Sequence, residues 1–439
     1  MTVLPATDND TDYDVIIVGA GITGLATAVA LIQREKIAAE RICILEKSQV
    51  LQPIGATLGL FPNGLTALQS ISEGVAQRVV DLGIPYVGVQ QRNLMGDVVM
   101  EKNLTMMAGA NNTHVLAWYL LQEALVEALP SESANNKRVL NLGTCLESFV
   151  EHKNDGIITV TARQFELQNA TGGDTFWTAT CKILIGADGI HSRVRELLFP
   201  SPSSRSIYTY HKRFMYRAIL REDEFDSSII LPPHGYTVSF RCGTPGKVFA
   251  FRQNAKGIYS FTSTVFVEED ARGLVHSHSH NSDSTKKSRM LEHFKEYCPA
   301  VQHLMTKVKN EAIYENAVFD MDVLNQWSRG SVVLIGDAAH AMTPALGQGA
   351  NIGLEDSTEI AHCLGILLCV VKNGVEGDTK LTCMVISKKL KDFWLCRLNR
   401  TRRVHALSRI LADERNKGNA DYKVDRSFIT SWKPSFLPP

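Results

Sequence analysis

The sequence has no CxxC pair, and its nine cysteines (Cys43, Cys145, Cys181, Cys242, Cys298, Cys363, Cys369, Cys383 and Cys396) are scattered and odd in number. Disulfide frameworks need an even, patterned set. Several of these thiols stand inside apolar runs, where they act as small hydrophobes, so a reducing, cytoplasmic location is expected. Net charge is missing too: Lys plus Arg and Asp plus Glu each total 46. No overall footprint for nucleic acid or an anionic membrane results, and a small molecule is the expected partner. The opening MTVLPATDNDTDYD lacks the basic-then-apolar order of a secretory signal. No apolar run reaches the ~20 residues of a spanning helix. The longest late one, Ile360 to Val371, contains His362 and reads as a core helix, with peripheral membrane contact as the alternative. His276, His278 and His280 alternate in a Ser-rich setting with no Cys or further His at zinc spacing, so they read as a loop and no metal is expected. At 439 residues the chain is long enough for two or three regions with cores of their own.

What is present starts at Asp14 to Leu31, DVIIVGAGITGLATAVAL. Val15 to Val18 form the short β-branched run of a strand covered on both faces. Gly19, Gly21 and Gly24 follow at GxGxxG spacing. The first permits a tight turn, the second lets a pyrophosphate approach the backbone, and the third lets the next helix pack close to the strand. That helix, from about Ile22, offers free amides and a favourable dipole to a phosphate. A second strand, Ile42 to Leu45, ends on Glu46, twenty-two residues after Gly24, near the spacing at which an acid meets adenosine ribose hydroxyls.

Two later stretches repeat the arrangement. Ile183 to Ile185 make a buried strand that turns at Gly186-Ala187-Asp188-Gly189, with Ser192, Arg193 and Arg195 opening a short helix. Val332 to Ile335 make another, ending in Gly336-Asp337. A loop through Pro344, Gly347 and Gly349 then leads into a helix at about Ala350, whose first amides, with Asn351, face an electron-rich ring or developing anion. His340, beside small residues, reads as packed rather than as a base. Gly55 and Gly59 lie in a small-residue segment, 52–64, close to whatever occupies the first turn. Elsewhere the pattern gives a helix with Leu65, Leu68 and Ile71 on one face, a hairpin over 83–104, and a helix from Val115 to Leu129. Strands follow near 139–142, 146–150 and 157–163, then an aromatic, strand-rich region at 206–267 and a long basic amphipathic helix over 381–415. Tyr216 and Arg217 lie on one of these strands, and alternation lets only one of them face a site.

Together the three glycine-bearing stretches resemble the class A flavoprotein monooxygenases, the p-hydroxybenzoate hydroxylase-like family, over about Tyr13 to Arg403. The resemblance implies an α/β fold. A Rossmann-like FAD-binding domain with a parallel sheet is interrupted by an antiparallel-sheet substrate domain, and a C-terminal helical region follows. The segments expected are 1–82, 110–205 and 326–375 for FAD, 83–109 and 206–325 for the substrate domain, and 376–439 for the helical region. By the same resemblance Glu46 holds the adenosine ribose, Asp188 and Arg193 support the cofactor and the nicotinamide donor, Asp337 holds the ribityl-pyrophosphate region, and Pro344 to Asn351 contact the isoalloxazine ring. Where many members carry a flavin-facing arginine, this chain has Trp118.

The function so implied is NAD(P)H- and O2-dependent hydroxylation or epoxidation of a small aromatic or unsaturated substrate through a C4a-hydroperoxyflavin. The flavin does the hard chemistry, with Arg193, Tyr216 and Arg217 as the candidate catalytic or substrate-contacting side chains. A flavin-dependent reductase or dehydrogenase, and a non-catalytic FAD-binding protein, are the alternatives.

Overall fold

The computed structural model describes residues 11–53, 57–104, 112–131, 138–152, 156–165, 175–200, 207–226, 231–242, 246–267, 285–374, 379–417 and 424–436. Gly55 and the run from His276 to His280 lie outside them.

The first stretch folds as its pattern requires. β1 (Tyr13–Val18) is buried along its whole length and α1 (Ile22–Gln33) begins after the glycine turn. β2 (Ile42–Leu45) pairs parallel with β1, and β3 (Thr57–Leu60), α2 (Pro62–Ile71) and α3 (Glu73–Leu82) follow. Next come β4 (Ile84–Pro85), β5 (Gly88–Arg92), β6 (Val98–Asn103), β7 (His114–Ala117) and α4 (Trp118–Glu127). The helix expected from Val115 therefore starts three residues later. Val115 and Leu116 pair instead with Gly59 and Leu58 of β3, and this backbone pairing overrides the apolar spacing that had suggested a helix.

Further along run β8 (Leu140–Asn141), β9 (Thr144–Glu151), β10 (Ile158–Gln164), β11 (Thr175–Gly186) and α5 (Arg193–Leu198). Among the described residues, eight strands form a first sheet. Its path is completed by β17 (Ser328–Arg329) and β18 (Val332–Leu334) in the order β17-β18-β11-β1-β2-β8, with β10 and β9 continuing from β11. The contacts β18–β11, β11–β1, β1–β2 and β2–β8 are all parallel. Four neighbouring strands thus end at one edge, where they deliver Gly336-Asp337, Ala187-Asp188, Gly19 and Glu46 side by side. This is the edge at which open α/β sheets bind ligands.

The second sheet is built from β12 (Tyr208–Arg221), β13 (Tyr236–Cys242), β14 (Lys247–Ala255), β15 (Ile258–Phe266) and β16 (Tyr314–Met321), with β5 and β6 joined at one side. It is antiparallel except where β5 meets β13 in parallel, because β5 belongs to a hairpin inserted from the earlier chain. One face carries Phe214, Tyr216, Val238, Phe240, Phe249, Phe251 and Phe261. It is sealed by α6 (Lys286–His293) and α7 (Pro299–Lys307). On the opposite face Arg217, Ser239, Ala250 and Thr262, in register across four strands, are only half-buried. Alternation therefore makes a sheet with one dry face and one open face.

After β18 come a short α8 (Asp337–His340), α9 (Gly349–Gly374) and α10 (Thr379–Asn416), with α11 (Ser427–Thr430) near the end. α9 runs fully buried from Asn351 to Ala361, whereas the run from Ile360 that reads as a core helix is two-sided: Leu364, Leu367 and Leu368 are buried while Ile366 and Cys369 are exposed, so that part of the helix packs on the core by one face. Among the described residues no helix is long and apolar enough to cross a membrane.

Candidate functional site

The first turn is closed by close contact. Gly19 has φ +106°, and a Cβ there would lie 2.5 Å from the Ala187 carbonyl oxygen. A Cβ on Gly24 would lie 2.0 Å from the Gly19 oxygen, so this glycine lets α1 seat on the turn. At Gly21 a Cβ would meet nothing within 4 Å. The fold does not need Gly21 bare, and the cleft in front of it is open to a ligand. Glu46 accepts the Ala20 amide on Oε2 (2.9 Å) and the Ser48 amide on Oε1 (2.8 Å). Each carboxylate oxygen keeps a lone pair for a ribose hydroxyl.

Asp337 is exposed to the cleft, and desolvation by the protein around it together with the nearby Asp356 charge pushes its carboxyl above the usual range. Asp356 fixes the turn behind it by accepting the Gly336 amide at 3.0 Å, and it is itself held by Arg397 and His340. His340 is fully buried against Trp327, a packed residue as its small neighbours suggested. Asp188 accepts the amides of Arg193 (2.7 Å) and Val194 (3.1 Å) on Oδ2, while Oδ1 is buried with no partner among the described residues. Burial pushes this carboxyl up as well.

The loop between α8 and α9 forms the roof of the cleft. Pro344 and Gly347 are exposed towards it, Gly347 at φ +67°, and Gly349 and Ala350 begin α9 half-buried. Asn351 ties this loop to β3, donating to the carbonyls of Gly59 and Gly347 (both 2.9 Å) and accepting the Phe61 amide (3.0 Å). β3 in turn reaches the second sheet, where Thr57 contacts Asn254 (3.2 Å) and Ser260 (2.7 Å). At its other end the loop meets α10: Arg415 donates to the Ala345 carbonyl (3.2 Å), and the next residue, Asn416, accepts from Arg213 Nε of β12 (2.7 Å). The roof is therefore anchored at both ends of the sheet's open face.

The remaining candidates fall in different places. Trp118 is the first residue of α4, half-buried against the main core, one helical turn before Gln122. Tyr216 is fully buried on the sealed face, with its hydroxyl 2.9 Å from His293 Nδ1. Arg217 is on the open face, donating to Asn316 at 2.6 Å and stacking over Tyr314. Arg193 is exposed, paired with Glu196 and donating to the Glu147 carbonyl. It is Arg195 that is buried, donating to Ala338 O (3.0 Å), Ile190 O (2.6 Å) and Tyr208 Oη (2.8 Å), and so fastening the second glycine turn to the third.

Two further groups were missed in the sequence. Gln122 donates to Ala20 O at 2.8 Å from a buried position on α4, and its signal was a polar residue inside an otherwise apolar helical stripe. The other group is a set of arginines, Arg213, Arg241 and Arg415, brought within one another's field from two strands and a helix that no local pattern connects.

A bare glycine facing open space, a carboxylate free to accept from a ribose, an orphaned carboxylate oxygen at Asp188 and the Asp337 carboxylate opening onto the same cleft together suit a flavin dinucleotide. Comparisons agree. The chloroplastic zeaxanthin epoxidase of Oryza sativa subsp. japonica is 27% identical over 409 residues, covering 91% of this chain, which spans only 55% of that protein's length. The 2-heptyl-3-hydroxy-4(1H)-quinolone synthase of Pseudomonas aeruginosa is 26% identical, covering 79% of this chain and 80% of its own. Among solved structures, Klebsiella pneumoniae HpxO complexed with FAD and uric acid superposes with a TM-score of 0.67 at 20% identity over 93% of this chain and 90% of the other. The model of the FAD binding domain family matches residues 12–379, and the chain belongs to that family.

Proposed function

We propose that the chain is an FAD-dependent monooxygenase that uses NAD(P)H and O2 to hydroxylate or epoxidise a small aromatic or unsaturated substrate. The observation that carries this reading is the placement of the second sheet's open face beneath a roof loop tied to it at both ends. FAD, when bound, supplies electron storage and oxygen activation.

The protein's own part is to bind, orient and keep water out. Gly19 to Gly24 and Glu46 hold the dinucleotide end, Asp188 and Asp337 accept from its polyol hydroxyls, and the Pro344–Asn351 loop positions the ring. Trp118, on the α4 face that Gln122 fixes to the first turn, offers an apolar surface where a cation would otherwise stand. Arg217 reaches the open face and is the substrate contact of its pair. Tyr216 backs it from the sealed side. The exposed Arg193 is available to the transient nicotinamide donor at the edge of β11. Exclusion of water matters because reduced flavin and oxygen otherwise yield hydrogen peroxide.

The test is anaerobic reduction of the FAD-loaded protein by NADPH and by NADH with a panel of aromatic and unsaturated compounds, followed by turnover under 18O2. Faster bleaching with one compound class and one labelled oxygen in the product support the reading. Reduction without label points to the dehydrogenase alternative, and flavin that neither nucleotide reduces points to a non-catalytic protein.

A further inference from the structure

Glu355 of α9 is wholly buried, yet four donors converge on its carboxylate. Arg400 of α10 grips both oxygens in a fork, Nε to Oε2 and Nη2 to Oε1, each at 2.7 Å. Arg397 donates to Oε2 at 2.7 Å, and the side-chain amide of Asn63, in the first turn of α2, donates to Oε1 at 2.8 Å. Arg397 also donates to Asp356, so two carboxylates face two guanidiniums. Arg400 is fixed from its far side by the carbonyls of Phe428 and Ile429, both at 2.8 Å. A buried, matched group of this kind adds little stability over apolar packing of the same volume. What it does well is hold atoms in place, because the forked bonds have one geometry.

From this group one side chain leads to the cleft. The Asn63 Nδ2 that donates to Glu355 also donates to Gln348 Oε1 at 3.0 Å. Gln348 is buried while its neighbour Gly347 is exposed, so within the roof loop this side chain is turned into the protein. Asn63 is buried too, and its Oδ1 has no partner among the described residues. A buried carbonyl oxygen left unpaired costs stability. Leucine would serve the fold as well, and what asparagine adds is two donors on one nitrogen with two acceptors to meet. The next residue, Gly64, makes room for Asn351, whose Oδ1 a Cβ on Gly64 would overlap. The first turn of α2 is therefore the seat of the roof loop at both Gln348 and Asn351.

We propose that Asn63 is a positioning residue for the flavin: it carries the fixed position of Glu355 and its two arginines to Gln348, and so sets where the roof loop stands over the ring. It acts through the loop and touches no reacting atom. This rests on the reading above that the Pro344–Asn351 loop positions the ring. Arg400 is the remote end of the same tie. It shares no hydrogen bond with the loop or with Asn63 among the described residues, but without it the Glu355 carboxylate is held by Arg397 and Asn63 alone and is free to turn.

The test uses the oxidised protein saturated with FAD and without reductant, so it does not depend on turnover. Asn63→Leu and Gln348→Met each cut the tie while leaving Glu355 with both arginines. Amide hydrogen exchange at residues 345–350 is expected to be at least about ten-fold faster in either variant, with exchange at the first turn, residues 19–24, unchanged. The double variant should exchange no faster than either single one, because both remove the same tie. Arg400→Gln should move the same amides in the same direction. The melting temperature of Asn63→Leu should stay within about 3 °C of the parent, since removal of the unpaired oxygen offsets the lost bonds. Flavin should bind about five-fold more weakly to each single variant, with the fine structure of its visible band blunted. Loop exchange at the parent rate in Asn63→Leu or Gln348→Met overturns the proposal, and the parent rate in Arg400→Gln overturns Glu355 as the anchor. Faster exchange throughout the chain with a lowered melting temperature makes Asn63 structural and overturns it as well. Failure of the reading that puts the loop over the ring is separable: the loop amides then exchange faster while flavin affinity and spectrum stay as in the parent, and the positioning role falls with that reading.

Discussion

Asn351 donates to the carbonyl of Gly59 across 2.9 Å, and through this one side chain the roof loop is held to a strand nearly three hundred residues earlier. The same amide satisfies Gly347 O and the Phe61 N–H. Asn351→Ala leaves three backbone groups in a buried region without partners. The expected loss is about 2–3 kcal/mol of stability, with FAD released more readily because the loop no longer keeps its shape. Chemical denaturation and flavin retention on gel filtration measure the two effects.

The glycines of the first turn separate fold from binding. Gly21 has φ −70° and ψ 175°, a conformation any residue adopts, and a Cβ there meets open space. Gly21→Ala is therefore expected to fold and melt like the parent while retaining FAD poorly, since the added methyl fills the approach of a phosphate. Gly24→Ala should do the reverse of the first effect, because its Cβ would lie 2.0 Å from the Gly19 oxygen. A fall in melting temperature of the FAD-free protein is expected for Gly24→Ala alone. Comparing the two apoproteins by calorimetry decides the matter.

What could be read from the sequence was what lies close together in the chain. Strand, turn and helix around Gly19, Gly186 and Gly336 follow from local pattern, and parallel pairing then brings their ends to one edge. The helix starting at Trp118 instead of Val115 could not be read, because β7 exists only through its pairing with β3 and β4, distant in the chain. For the site, Gly21 and Asp337 announce themselves by motif. Arg195 differs from Arg193 only by the face of a short helix, which no single-sequence pattern resolves, and Gln122 has meaning only once α4 is seen to cross the first turn. The arginines at 213, 241 and 415 come from two strands and the end of a helix, so their convergence is a property of the tertiary fold.

Gln122 also gives a prediction. Its Nε2 donates to Ala20 O inside the turn that receives the dinucleotide. Gln122→Leu keeps the volume but leaves that buried carbonyl unpaired, costing about 1 kcal/mol or somewhat more. The turn would then shift towards α4 or admit water. An FAD dissociation constant several-fold higher, with little change in far-ultraviolet circular dichroism, is the expected result. Unchanged flavin affinity would mean that α4 does not help to shape the turn.

The long helix is fastened to the second sheet by Asp320, which is wholly buried. Arg409 grips it with two donors, Nε at 2.7 Å and Nη2 at 2.8 Å, and His211 Nε2 lies 2.9 Å away. Burial alone would raise the Asp320 carboxyl, but the hydrogen bonds from Arg409 and His211 outweigh it and hold the group at about 2. A carboxylate depressed in the folded state stabilises the protein above the unfolded value, near 4. That contribution is lost as pH falls from about 4 through about 2. Asp320→Asn removes the ionic clamp and leaves Arg409 with only the exposed Asp322 as a charged partner, so a loss of about 3 kcal/mol is expected at neutral pH. The gap between parent and variant should then narrow steadily as the solution is acidified below pH of about 4. Urea melts of both proteins at a series of acidic pH values give the measurement, and a gap that stays constant down to pH of about 2 would show that Asp320 is not the charged partner assigned here.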